Sequence, residues 1–405
     1  MKKYLSRFIK RFCHNTMMCK GLLTLLMFVL TVNFTLSLFW VNVADARPEF
    51  AAELDKDCNF CHIDPAGGGP RNRIGEIFEE NYFEFPEDFD MDAVTEEAKE
   101  VVKQLTTSLD LQTAFIKDMH ANGDEGAVAG CNSCHSSVDS FLLMQAEVTF
   151  NAQASEHVRL TLSNNVGTTL NAFATVDAIP KHLYVKVGQF RLPFGIKQKD
   201  HNILVREGYG LGSNKRDVGV ELGGSLGKAF YNAAFFNAGN ATAKGLLGTV
   251  GGQLGPIRAG VSCIFEQPGE EWERLVGAFL TASYGGLSLE GEFNFGNTGE
   301  TASFAPDAVD SKGYYFGAKY RVFPQFTVAG RYGLFDPDRT VLGDAGKRLT
   351  FITQYNFMEN GAVSLFYWAN LPNADRKPDE EISSKSALRQ LQGRNQLIVM
   401  SRFWF

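Results

Sequence analysis

From about residue 140 to the C-terminus, apolar and polar residues alternate with a period of two. Successive side chains of a β-strand point to opposite faces, so such a run predicts a strand with one apolar and one polar face. The clearest runs are 287–295, 314–322 and 326–334, and similar ones are Val158–Ser163, His182–Arg191, Arg348–Phe357 and Val363–Asn370. So many two-faced strands constrain the fold of this region more than any other feature of the chain.

Closing these strands on themselves predicts an all-β transmembrane barrel with an apolar outer face and a polar, wet lumen. A soluble β-sandwich is the alternative, but it would not repeat aromatic residues at strand ends so often. Tight turns at 285–286, 323–324 and 359–361 alternate with long segments at 296–311, 336–346 and 371–393, as in outer-membrane barrels. About fourteen strands are clear, and adding Leu170–Val176 and His201–Glu207 gives the sixteen that we prefer.

The C-terminus repeats the alternation. Leu397, Val399, Ser401, Phe403 and Phe405 fall on one face of the last predicted strand. A terminal Phe preceded by alternate apolar residues resembles the recognition signal of bacterial outer-membrane barrels. We therefore predict that residues 140–405 form the barrel and that outer-membrane lipid surrounds it.

The N-terminus carries an export signal. Six basic residues and no acidic residue occur in the first twenty positions, and an apolar run from Gly21 to Val43 follows. Ala44-Asp45-Ala46 supplies small residues where a signal peptidase cleaves, so residues 1–46 are predicted to be a signal peptide. An uncleaved anchor is the alternative, because the apolar run is long enough to span a bilayer. Both interpretations export the rest of the chain.

The mature chain is acidic. The full sequence has 39 Lys and Arg against 46 Asp and Glu, and removing residues 1–46 takes away six bases and one acid. The remaining 33 bases and 45 acids give a formal charge of −12. This charge argues against nucleic acid as a partner and favours cationic metal species.

Two C-x-x-C-H runs, Cys58–His62 and Cys131–His135, indicate the chemistry. Two thiols at this spacing attach a c-type haem through thioethers, and the following His ligates its iron. We therefore predict two covalently bound haems, on Cys58 with Cys61 and on Cys131 with Cys134, with His62 and His135 as proximal ligands. The alternatives are a zinc site, which usually has closer Cys pairs, and a redox dithiol, which needs no His.

Residues 47–139 are predicted to be a small, mainly α-helical dihaem cytochrome domain. A helix is expected from Asp92 to Leu109, because Val94, Ala98, Val101, Val102 and Leu105 have helical spacing. Phenylalanine and tyrosine residues between 78 and 89 are expected to pack on porphyrin. His120 is the candidate distal iron ligand, and the alternatives are Met91, Met119 and Met144.

Part of the barrel sequence resembles phosphate-selective-type porins. The resemblance rests on the run Val187–Gly195, followed by Arg216–Val220. In that family such a region contributes to an anion-binding constriction, and the cations between the two runs here are Lys197, Lys199, Arg206 and Lys215. These side chains would bind anions, meet haem propionates, or simply line the lumen.

As a whole the chain resembles the fused outer-membrane cytochrome–porin family, through its haem motif, its Gly67-Gly68-Gly69-Pro70 turn and its barrel ending in Phe405. That resemblance implies an electron conduit that oxidises extracellular Fe(II) and passes electrons to a periplasmic carrier, with the haem domain in the periplasm or the barrel lumen. The second haem motif departs from the family. Outward electron transfer to metal oxides or a partner cytochrome, and an anion porin with a haem-bearing plug, therefore remain as alternatives. No nucleophile–base constellation indicates other catalysis.

Overall fold

The protein is described here from a computed structural model. The described residues are 105–119 and most of 140–404, with gaps at 156, 166–167, 180–181, 197–202, 212–214, 239–242, 268–271, 299–308, 340–344, 359 and 372–394. The described residues that precede the barrel in the sequence are 54, 56, 60–62, 71–80, 85, 89 and 90. The predicted signal peptide and the terminal Phe405 lie outside these residues. None of the helices within them is long and apolar enough to cross a membrane.

Sixteen antiparallel strands form one closed barrel, in which each strand pairs with its sequence neighbours and β1 pairs with β16. The strands are β1 Leu105–Met119, β2 Ser140–Ser155, β3 Val158–Asn165, β4 Thr168–Ile179, β5 Leu183–Arg191, β6 Arg216–Leu226, β7 Ala229–Phe236, β8 Gly245–Leu254, β9 Ile257–Glu266, β10 Glu273–Tyr284, β11 Leu287–Thr298, β12 Val309–Phe323, β13 Phe326–Asp336, β14 Gly346–Met358, β15 Gly361–Leu371 and β16 Asn395–Trp404. Two short helices, α1 Arg73–Glu80 and α2 Leu204–Gly208, complete the described elements.

The preferred count of sixteen strands is confirmed, but two errors in the prediction cancel. Residues Leu204–Gly208 form α2 and not the expected strand, because Leu204, Val205 and Arg206 are all buried and none faces lipid. Conversely, Leu105–Met119 is the first barrel strand. The helix predicted from Asp92 therefore does not continue to Leu109, and the barrel begins at Leu105, well before residue 140.

The outer surface of the barrel follows the predicted alternation. In β10, Val276 and Leu280 are exposed while Leu275 and Phe279 are buried inside. In β11 and β12 the exposed positions include Phe293, Phe316 and Tyr320. An apolar exposed band around a closed barrel is the surface that a lipid bilayer covers.

Placing a charge on this band tests the membrane assignment. Phe293 is half exposed on the outer face, whereas Asn294 beside it is fully buried inside. We expect Phe293→Glu to destabilise the inserted barrel by up to a few kcal/mol, because a carboxylate in hydrocarbon lacks water. Heat-modifiable mobility on electrophoresis measures the loss of the folded form. Phe293→Leu is the matched control, and equal stability of the two variants in bilayers would contradict the lipid-facing assignment.

The two ends of the barrel differ. At one end, which we call the tight-turn end, seven connections of two or three residues join β2–β3, β4–β5 and so on to β14–β15. Leu105 and Trp404, the first and last strand residues, also lie at this end because an even number of strands separates them. The opposite end, the loop end, holds the longest connections: 120–139, 192–215 and 372–394.

Candidate functional site

The second half of the first C-x-x-C-H run is tied to helix α1. The backbone of His62 forms a β-bridge with Arg71, and the amide of Asn72 donates to the carbonyl of Cys61 at 3.0 Å. The Asn72 side chain donates through Nδ2 to the carbonyl of Phe60 at 3.0 Å. Its Oδ1 accepts from the amide of Gly75 at 2.9 Å, which caps the N-terminus of α1. One side chain therefore orders both the run and the helix.

Helix α1 approaches the run closely at Gly75. A Cβ built on Gly75 would lie 2.1 Å from the carbonyl oxygen of Cys61, which is far inside contact distance. Only glycine allows the helix and the run to pack in this way.

An aromatic cluster lies beside the run. The ring of Phe85 stacks on Phe89 with centroids 4.4 Å apart and contacts the ring of Phe78 at 4.8 Å. Phe60, inside the run, meets Phe85 edge to face at 6.2 Å. Phe78 is buried, and Trp404 of β16 packs against it. The run is thus held at the tight-turn end of the barrel.

Trp404 belongs to the inner face of β16. The buried Ile398 and the exposed Val399 fix the alternation, so Ile398, Arg402 and Trp404 share the inward side. Arg402 lies 5.2 Å from the Trp404 ring and donates to both carboxylate oxygens of Asp110 at 2.9 Å. The N-terminal segment therefore contacts the lumen wall where β1 and β16 close the barrel.

These residues fit a c-type haem. Cys61 and His62 are adjacent in an ordered turn, and several aromatic rings lie next to them, as an apolar porphyrin requires. Cys61 would hold the haem covalently and His62 would supply the imidazole, while Cys58 lies outside the described residues. Among the described residues, no group of three His, Cys, Asp or Glu side chains is arranged to hold a metal ion.

The second run is not N-terminal to the barrel, contrary to the predicted boundary. Cys131, Cys134 and His135 lie outside the described residues, as does the candidate ligand His120. They belong to the connection between Met119, where β1 ends, and Ser140, where β2 begins. That connection joins β1 to β2 at the loop end, so one complete membrane-crossing strand separates the two runs along the chain.

Part of the lumen is packed with buried apolar side chains, whereas the sequence predicted a wet lumen. The described parts of the connection between β5 and β6, Leu192–Ile196 and Ile203–Leu211, fold into the barrel as a plug. Their buried apolar side chains form one cluster with inward side chains of β5, β7–β10, β12 and β13. Because α2 contacts β12, β13 and β14, the plug rests against that wall.

A buried ion pair fixes the plug. Nη1 of Arg206 in α2 donates to both carboxylate oxygens of Glu292 in β11, at 3.1 and 2.9 Å. Nη2 of Arg206 is within 3.3 Å of the carbonyl of Phe194. Glu292 also accepts from the amide of Ile196 at 3.2 Å and from Nδ2 of Asn294 at 2.9 Å. The exposed fractions of the two side chains are 2% and 0%, so bulk water does not screen the pair.

Two of the four cations expected at an anion constriction, Arg206 and Lys215, are paired with carboxylates. Arg206 is bound to Glu292, and Nζ of Lys215 lies 2.7 Å from Oε1 of Glu266. Lys197 and Lys199 lie outside the described residues. Because Arg206 and Lys215 each already have a carboxylate partner, each is a weak site for a further anion.

The opposite wall of the lumen is polar toward the tight-turn end. Gln112 of β1 donates to Asp110 at 3.2 Å and to Gln145 of β2 at 3.4 Å. Gln145 in turn donates to Glu147, and Thr149 and Asn151 continue the inward row of β2. This wall, formed by β1 and β2, therefore presents hydrogen-bonded polar side chains to the lumen, in contrast to the apolar plug.

Comparisons with known proteins agree with the fold. No family model matches the chain, and no curated protein matches its sequence. Among solved structures, OmpT, an outer membrane protein of Vibrio cholerae, matches with a TM-score of 0.55 at 11% identity, over 75% of this chain and 98% of that one. An anion-selective porin from Comamonas acidovorans matches with a TM-score of 0.54 at 12% identity, over 75% and 100%. Salmonella typhi OmpF, in complex with daunomycin, matches with 0.55 at 12%, over 75% and 98%. At such identities the likeness shows the fold alone, a porin-like barrel.

Proposed function

We propose that this porin-like barrel is an outer-membrane electron conduit that carries one c-type haem at each end. In this arrangement the tight-turn end faces the periplasm and the long loops face outward, as in outer-membrane barrels. The substrate that we propose is extracellular Fe(II), and the acceptor is a periplasmic electron carrier. Bound haem would supply an iron that takes up one electron from Fe(II), leaving Fe(III), and gives it to the carrier.

The observation that carries this proposal is the position of β1. Its 15 residues cover about 50 Å along the strand, or roughly 35 Å along the barrel axis at a 45° tilt. Cys134 is six residues from Ser140, a tether of at most about 20 Å. The connection that includes the second run therefore leaves β1 and enters β2 at the loop end, whereas the first run packs through Phe85 on Phe78, which contacts Trp404 at the tight-turn end. A conduit needs redox sites at both mouths.

The protein residues contribute position and charge. Asn72 and Gly75 order the first run, and the Phe78–Trp404 contact anchors it at the lumen mouth. The plug fills part of the lumen with buried apolar side chains. The mature chain is acidic and therefore attracts Fe²⁺, but only within a Debye length of about 8 Å in physiological salt.

Haem reduction by external iron tests this function. In sealed outer-membrane vesicles with the native orientation, Fe(II) added only to the outside should reduce the oxidised haems, followed by stopped-flow absorbance. His135→Ala should abolish most of this reduction, because it removes the iron ligand of the outer haem. Haems that stay oxidised with Fe(II) but are reduced by dithionite would contradict Fe(II) oxidation, and outward transfer would then be the direction to test.

An anion porin is the second candidate, and of the expected functions it is the one that the comparisons support best. One matched structure is an anion-selective porin, and this chain has the same fold. The neutralised Arg206 and Lys215 argue against an anion constriction here. Haem-independent anion conductance of the purified barrel in planar bilayers would favour the porin.

A further inference from the structure

The outer wall of the barrel carries a group of cations near the loop end, on the strands from β10 to β14. We call this group the basic rim, and its members are Arg274, Lys312, Arg339 and Lys347. Arg274 and Lys347 are the second residues of β10 and β14, Lys312 is the fourth residue of β12, and Arg339 follows the end of β13 by three residues. All four therefore lie close to the end at which the long loops leave the barrel.

The basic rim points away from the lumen. Successive side chains of a strand point to opposite faces, so a cation next to an inward side chain points to the outer face. The buried, inward neighbours are Leu275 beside Arg274, Ser311 beside Lys312 and Arg348 beside Lys347. The guanidinium of Arg339 lies 5.3 Å from the ring centroid of Phe295, which is outward because Asn294 beside it is fully buried.

Three of the four cations are available to an anion. Within the described part of the chain, no carboxylate pairs with Arg274, Arg339 or Lys347. The side chains of Arg274 and Arg339 are exposed. Lys312 pairs with Asp336 at 3.2 Å, yet 42% of the Lys312 side chain remains exposed. The basic rim thus differs from the two lumen cations that already have carboxylate partners.

An aromatic patch lies next to the basic rim, toward the middle of the membrane. Tyr314 is two residues farther from the loop end than Lys312, on the same face of β12. The ring centroid of Tyr314 lies 6.4 Å from that of Phe293, 5.7 Å from that of Phe316 and 6.3 Å from that of Tyr332. Aromatic side chains on the outer face of such barrels mark the boundary between acyl chains and headgroups. The rim cations therefore lie at the level of the headgroups.

The other end of these strands presents a different surface. The outward positions near the tight turns are exposed and uncharged, and they include Tyr284, Leu287, Phe323 and Met358. The exposed cations of this part of the outer wall thus face one leaflet, the leaflet at the loop end.

The register of the strands sets the spacing of the cations. Arg274 is opposite Asn297 of β11, and Lys312 is opposite Phe295, two residues away on the same strand. With neighbouring strands about 4.8 Å apart and about 3.4 Å per residue, the Cα atoms of Arg274 and Lys312 are about 12 Å apart. Arginine and lysine side chains are long enough to converge on one headgroup from this spacing.

We infer that the basic rim binds the phosphate groups of a phosphorylated glycolipid in the outer leaflet, and that the acyl chains of this lipid pack on the aromatic patch. Arginine and lysine bind phosphate through charge-assisted hydrogen bonds. The cations stand on the lipid-facing wall, beside aromatic rings and away from the lumen, which selects a lipid over a dissolved anion. The inference goes beyond the electron conduit. It needs no haem, and it shares with the proposed function only the outward orientation of the long loops.

Removing the three unpaired charges tests the inference. Replacing Arg274, Arg339 and Lys347 together by glutamine keeps polar side chains at exposed or half-exposed positions, so the fold should be retained, as judged by heat-modifiable mobility. Native mass spectrometry of the full-length protein in detergent measures the bound lipid A. The wild type should retain bisphosphorylated lipid A, and the triple variant should retain at least about tenfold less, because each cation beside anionic headgroups strengthens binding roughly fivefold.

Two comparisons separate charge from packing. Dephosphorylated lipid A with the same acyl chains should bind weakly and equally to the wild type and the triple variant. Lys228→Gln removes an exposed cation in the turn between β6 and β7, at the tight-turn end, and should leave the retention of bisphosphorylated lipid A unchanged.

Three results would overturn the inference. The first is equal retention of bisphosphorylated lipid A by the wild type and the triple variant. The second is an equal loss of both forms of lipid A in the triple variant, which would show that packing alone holds the lipid. The third is displacement of the lipid by millimolar inorganic phosphate, which would indicate a site for the free anion. None of these results changes the number of haems in the intact mass, so each would leave the proposed function standing.

Discussion

Replacing Cys58 and Cys61 by alanine is expected to remove one haem from the mature protein, and replacing Cys131 and Cys134 the other. Thioether bonds survive denaturation, so intact mass of the unfolded chain counts the haems directly. The wild type should show two haem additions, each double variant one, and the quadruple variant none. This is an all-or-none effect on composition, because each run supplies both thiols for its haem.

The chain offers a matched control for these substitutions. Cys263 in β9 is a mature cysteine outside the two runs, so Cys263→Ala should keep both haems. His62→Ala should also keep both haem additions in the intact mass, because the thioether bonds remain. It should change the absorption spectrum, because the iron loses its proximal imidazole. A wild-type mass with no haem addition, after export to the periplasm with active haem attachment, would rule out the conduit.

Replacing Glu292 by alanine is expected to release the plug and raise ion conductance several-fold. The change leaves Arg206, 2% exposed, without its carboxylate, and breaking one side of a buried ion pair costs about 3–5 kcal/mol. The amide of Ile196 and Nδ2 of Asn294 lose their acceptor as well. Single-channel recording of the purified barrel measures the conductance, which should be low in the wild type because the plug fills part of the lumen.

Glu290→Ala is the control for this change. Glu290 is two residues away on the same inner face of β11 and pairs with Arg331 at 3.2 Å, but both side chains are partly exposed. An exposed pair contributes about 1 kcal/mol or less, so the barrel should behave like the wild type. Equal conductance in the wild type, Glu290→Ala and Glu292→Ala would show that the Arg206–Glu292 pair does not hold the plug.

The barrel could be predicted because its signal is local. A strand that separates lipid from lumen must alternate its side chains, and the alternation is readable within any ten residues, as in Leu287–Thr298. The first strand was missed although Leu109, Leu111 and Phe115 alternate with Asp110, Gln112 and Ala114. The apolar residues from Val94 to Leu105 have helical spacing, and this pattern overlaps the start of β1 at Leu105.

The plug could not be predicted in the same way. Ile203, Leu204 and Val205 are consecutive apolar residues, which resembles a short strand, yet consecutive burial is typical of a segment enclosed on all sides. The decisive contact joins Arg206 to Glu292, 86 positions apart, and no spacing rule connects them. Likewise, the sequence alone identifies the two C-x-x-C-H runs. That a strand separates them follows only once β1 is recognised.

The pairing of β1 with β16 determines when the barrel can close. Arg402 and Asp110 are 292 positions apart, and β1 cannot pair with β16 until the whole chain has been exported. Pairing over so long a loop is slow, because the entropy of loop closure must be overcome before the contact forms. The exported chain therefore stays open for an interval in the periplasm. Within that interval, the haem attachment that the proposed function requires would reach both cysteine runs from the same compartment.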